Sequence, residues 1–80
     1  MMKAEKEFTY EIIKPLGVLS VKGGATTEVN IISICGQEPK IDVRHWFTSA
    51  DGNRKMLKGV DITPDEAKAL VQVLSSSNIF

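Results

Sequence analysis

Eighty residues with ten basic and ten acidic side chains carry no formal net charge, which describes one small domain rather than a strongly basic nucleic-acid binder. A chain this short buries only about 60% of the surface its unfolded form exposes, so small domains usually add disulfides, a metal or a second subunit. The single Cys35 excludes an internal disulfide, and one cysteine with one histidine (His45) cannot make a four-ligand zinc site, which leaves a homodimer as the expectation.

Residues 1–7 are charged and read as a flexible leader without the apolar centre of a signal peptide. No run approaches the roughly 20 apolar residues of a bilayer span, and with an unpaired cysteine the cytoplasm is the default compartment. Phe8 to Lys14 alternates with the period of a strand. Pro15 and Gly17 interrupt it before Val18 to Val21 resume, which predicts one bent strand or two short ones, followed by a turn at Lys22-Gly23-Gly24. Thr26 to Cys35 is rich in β-branched residues and apolar on both faces, so either it bulges or its second face is covered, for instance by another subunit.

Gly36 to Pro39 ends that strand, and Ile41 to Phe47 begins a cleanly alternating one. Ile41, Val43, His45 and Phe47 share one side, expected to pack under a helix; Asp42, Arg44 and Trp46 share the other. A loop with a strong turn pair at Asp51-Gly52 leads to a last strand over Lys55 to Ile62. Thr63, Pro64 and Glu66 then spell an N-cap, a first-turn proline and a capping box. Ala67, Leu70, Val71 and Leu74 form the expected core stripe, while Val73, Ile79 and Phe80 are spare apolar residues suited to a subunit contact. The order predicts an α+β domain over residues 8–74: an antiparallel four-stranded sheet, one C-terminal helix, and a tail over 75–80.

Little here suits catalysis. His45 lies on an apolar strand side, Cys35 reads as a small buried hydrophobe, and no phosphate loop, dinucleotide fingerprint or metal spacing occurs. We therefore expect no enzyme, cofactor or small-molecule substrate. Charge is more informative by position, because between Lys40 and Lys58 five basic residues stand against two acidic ones. Trp46 can be a platform on which an unpaired base stacks while neighbouring cations hold phosphates. It can equally close a sheet edge or interface, with Arg44 paired to Asp42, and the pattern leaves both readings open. Arg54, Lys55 and Lys58 also have a plain role, as solvated charges that protect an edge strand.

The run Glu38 to Trp46, then Lys55-Met56-Leu57-Lys58-Gly59-Val60-Asp61-Ile62-Thr63 and a capped helix, resembles the positive cofactor four family. These are a eukaryotic transcriptional coactivator and small bacterial relatives of the YdbC type, and the latter extend the likeness to Phe8–Ile13 and Val18–Ser20. The resemblance implies a homodimeric ββββα fold whose curved sheets bind single-stranded DNA, or RNA, with little sequence preference. In a bacterium this would place the protein with the nucleoid. Carried over by position, it implies nucleic-acid contacts from Arg44, Trp46 and Lys58, with Lys40, Lys55 and Lys22 on phosphates. Val73 and the tail residues Ile79 and Phe80 would fall at the dimer contact. One departure is plain: no Lys or Arg occurs between Lys22 and Lys40. Affinity follows the phosphates neutralised, so the expectation is weak, salt-dependent binding, or a dimer on the same fold that serves protein interaction or structure instead.

Overall fold

In the computed structural model, which describes residues 9–79, four strands precede one helix: β1 (Tyr10–Lys22), β2 (Ala25–Ile34), β3 (Lys40–Thr48), β4 (Arg54–Ile62) and α1 (Pro64–Ser76). The strands form one antiparallel sheet in chain order, each hairpin joined by a short turn. Gly23 and Gly52 take positive φ at two of these turns (58° and 91°), where a side chain would be strained. The leader, Phe8 and Phe80 lie outside the described residues.

β1 is a single bent strand, not two. Its 13 residues run against only 10 of β2, and the register slips between Ile12 and Lys14, Pro15 and Gly17, and Val18 and Ser20. Each slip inserts one residue, Ile13, Leu16 or Leu19, and each bulge adds bend and twist. Pro15 is tolerated because, among the described residues, β1 is an edge strand with no outer partner to receive an N–H.

The bending has a measurable result. Tyr10 pairs with Ile34 at one end of β2, and Trp46 is opposite Thr26 at the other. In a flat sheet such rings would lie roughly 27 Å apart, yet their centroids are separated by 5.5 Å. The sheet curls on itself, and its inner side is the side of Asp42, Arg44 and Trp46. Trp46 and Asp42 are fully buried, with Ile32 and Asn30 beside them. The sequence pattern assigned the covered side to Ile41, Val43, His45 and Phe47; the bulges of β1 place it on the opposite one.

α1 starts as the sequence predicts. Thr63 Oγ1 accepts from the Glu66 N–H at 3.1 Å, Glu66 Oε1 accepts from the Thr63 N–H at 2.9 Å, and Pro64 opens the helix. Its stripe does not form a core within this chain. α1 touches only β3 and β4, none of its residues is buried, and Leu70, Val71, Val73 and Leu74 are all exposed. The radius of gyration is 15.2 Å, against about 12 Å for a compact chain of this length. Cys35 is likewise exposed rather than buried, at φ 52° in the turn after β2.

Candidate nucleic-acid interface

The inner side of the sheet holds both arginines of the chain. Arg44 grips the buried Asp42 with two bonds, Nε to Oδ2 at 2.8 Å and Nη2 to Oδ1 at 2.7 Å, and its Nη1 donates to the Leu57 carbonyl at 2.9 Å. The hydrogen bond to Asp42 raises the Arg44 pKa above its ordinary value, against a smaller opposing effect of burial. Arg54 lies 4.5 Å from the centroid of the Trp46 ring and pairs with Glu28 at 2.9 Å. Burial pushes the Glu28 carboxyl up, but hydrogen bonds from Thr26 and Arg54, with the charge of Arg54, outweigh it and leave the pKa lowered. Both arginines are paired to carboxylates, Arg44 largely enclosed and Arg54 still exposed to solvent.

Gly59 makes room for this arrangement. It stands opposite Arg44, and a β-carbon there would collide with the Arg44 side chain and lie 2.7 Å from both Arg44 Cα and the Val43 oxygen. β4 also bulges at this point: Arg44 faces Gly59 and Trp46 faces Met56, so Leu57 and Lys58 together oppose the single residue His45.

The outer side therefore carries two cross-strand rows at the end near the β1–β2 turn. One runs Lys22, Ala25, Phe47 and Lys55 across all four strands; the next runs Ser20, Thr27 and His45 and ends at Leu57 and Lys58. Among the described residues these rows contain no carboxylate, and Lys22, Lys55 and Lys58 form no ion pair. Phe47 is 42% exposed, and its ring rests beside Gly24, where a β-carbon would approach Cε1 to 3.1 Å. His45 is exposed, with Nδ1 2.8 Å from Thr27 Oγ1.

Of the residues singled out from sequence, Lys22, Lys55 and Lys58 thus come together on one surface. Arg44 and Trp46 lie on the opposite side, Trp46 with no exposed surface. Lys40, opposite Ile32, is far along β3 on the inner side. Val73 and Ile79 are exposed, on α1 and after it, and Phe80 falls outside the described residues. Sequence reasoning passed over Phe47 and His45. Strict alternation was the available signal, since adjacent aromatic residues on a strand without a bulge between them cannot share a face.

The family model described as Transcriptional Coactivator p15 (PC4) matches residues 22–73, well over half of the chain. The chain belongs to that family. The matched segment opens at Lys22, includes both rows from there onward, and ends within α1. PC4 proteins are nucleic-acid-binding coactivators, and the basic, aromatic outer surface is consistent with that class. No curated protein matches the chain closely enough to count as a relative. Among the described residues, no group of three or more His, Cys, Asp or Glu side chains is placed to hold a metal ion, and no helix is long and apolar enough to cross a membrane.

Proposed function

We propose that the chain binds single-stranded DNA across the two outer rows, with little sequence preference, as a transcriptional or DNA-processing cofactor. The observation that carries this reading is the exposed Phe47 flanked by Lys22, Lys55 and Lys58 in two rows that, among the described residues, contain no carboxylate, in a chain of the PC4 family. Phe47 stacks one base, a contribution of about 1–3 kcal/mol, and the three lysines neutralise phosphates on either side. Arg44 and Trp46 act from beneath. Arg44 ties β3 to the Leu57 carbonyl at the bulge that presents Lys58, and Trp46 fixes the curl of the sheet. Lys40 is at most a peripheral contact.

Fluorescence anisotropy of a labelled oligo-dT at low salt tests this, with duplex DNA as the comparison. Absence of binding at tens of micromolar protein would sink the reading.

A homodimer belongs to the same proposal. The exposed stripe of Leu70, Val71, Val73 and Leu74, with Ile79 after it, and the large radius of gyration support pairing through α1. Light scattering should give a two-subunit mass, and a stable micromolar monomer would refute it. A second reading, a protein-interaction or structural dimer without nucleic-acid affinity, is favoured by the uncharged β2 positions in the rows, Ala25 and Thr27. It predicts the dimer mass with no oligonucleotide binding.

A further inference from the structure

Beside Phe47 the outer surface is hollowed. Ser20, Lys22, Thr27 and His45 line an open cavity of about 360 Å³, walled also by Val21, Ala25 and Thr26. Its polar groups come from three strands and converge by register: Ser20 faces Thr27, Thr27 faces His45, and Lys22 lies in the next row. Two hydroxyls, an ammonium and an imidazole make a set rich in donors. We propose that this cavity is a phosphate subsite, holding one phosphate of the strand whose base stacks on Phe47; the inference rests on the DNA-binding reading above.

The hydrogen bond between Thr27 and His45 gives the subsite a defined response to protonation. When His45 Nδ1 accepts, the Thr27 hydroxyl hydrogen is committed to it. Once the ring takes a proton from solvent, both nitrogens donate, so Thr27 Oγ1 accepts and its hydrogen is released toward the cavity. One proton thus adds a charge and frees a donor.

The charged groups facing His45 are Lys22 from β1 and Lys58 from β4, with Lys55 in the adjoining row. β2 contributes none, because the Glu28 carboxylate is turned to Thr26 and Arg54. Asp51, in the turn after β3, is bonded to Ser49 and Asn53. α1, with Asp65, Glu66 and Lys68, begins beyond Ile62, whose partner Ile41 is four residues from His45 along β3. Among the described residues, no carboxylate in these two rows competes with a phosphate for the ring.

Anisotropy titrations of oligo-dT at fixed salt, near pH 5.5 and near pH 8, compare the wild type with His45→Gln and Lys22→Gln. One added phosphate contact is worth about fivefold in affinity at 0.1 M salt by counterion release, so the wild type should bind about fivefold tighter at the lower pH. His45→Gln, which keeps a partner for Thr27 but cannot charge, should show no such gain, and Lys22→Gln should weaken binding at both pH values. A 5′-phosphorylated oligomer separates a terminal phosphate, which alone would gain, from a backbone phosphate, for which both oligomers respond alike. Equal pH dependence in wild type and His45→Gln would overturn the subsite while leaving DNA binding intact. Failure of the wild type to bind at either pH would overturn both.

Discussion

Exchanging the roles of two neighbouring aromatic residues gives the sharpest test of which side of the sheet meets DNA. Phe47→Ala removes the ring of a residue that is 42% exposed, so the fold loses only part of a side chain's burial, about 1–2 kcal/mol. Binding should lose the stacking of one base, about 1–3 kcal/mol, which is roughly a 5- to 150-fold weaker dissociation constant. Trp46→Phe does the reverse. The indole has no exposed surface, contacts Tyr10 and Arg54, and its N–H has no hydrogen-bond partner among the described residues to lose. Shrinking it should cost about 1–3 kcal/mol of stability through the cavity left behind, with affinity unchanged while the protein stays folded. Thermal unfolding by circular dichroism and oligo-dT anisotropy on the same samples separate the two effects. A folded Trp46→Phe that has lost affinity tenfold, beside a Phe47→Ala that binds like wild type, would refute the assignment of faces.

Replacing Lys22, Lys55 and Lys58 together by Gln should flatten the salt dependence of binding. Each phosphate contact contributes about 0.7 to the slope of log affinity against log salt for single strands, and a slope that stays near the wild-type value would place the phosphates elsewhere. Gly59→Ala should destabilise by about 2–4 kcal/mol, because the new methyl meets Arg44 and the Val43 oxygen rather than open space; an unfolding midpoint within a degree of wild type would contradict that packing. The Glu28–Arg54 pair predicts an acid-sensitive component of stability. The Glu28 pKa is lowered from 4.5 in the fold, so the contribution is complete above that pH and is lost as pH falls through the lower folded-state value. Glu28→Gln should remove this component from a series of denaturant melts below pH 5, and an unaltered series would show that the pair does not carry it.

Local features of this chain were readable from its residues, because each depends on neighbours in sequence. The capping box at Thr63 and Glu66, the turn at Asp51-Gly52 and the alternation along β3 all need only a few adjacent positions. The sides of β3 were also divided correctly, with Asp42, Arg44 and Trp46 together. Which side faces water was not readable. That depends on four bulges, three in β1 and one in β4, and a bulge is invisible to a period-2 count. β1 carries a trace of its bulges: Ile13, Leu16 and Leu19 fall every third residue, a spacing that fits neither a flat strand nor an α-helix.

The charged pair Asp42–Arg44 was the more instructive signal. Polar residues at alternate positions ordinarily mark the solvent side of a strand, and that reasoning sends Trp46 outward with them. Two opposite charges at i and i+2 can instead satisfy one another. Here the carboxylate receives both donors of a guanidinium fork, the third goes to a backbone carbonyl, and a fully buried Asp42 results without an unpaired charge. The consequence reaches the site. Arginines paired to carboxylates on the inner side leave the outer surface to lysines, whose charges are strongly hydrated and which bind phosphate as point charges rather than by a fork. A surface of three lysines and one exposed phenyl ring can follow a backbone and stack a base, but it has no planar fork with which to read a base edge. The absence of sequence preference in the proposed binding then follows from where the two arginines were placed.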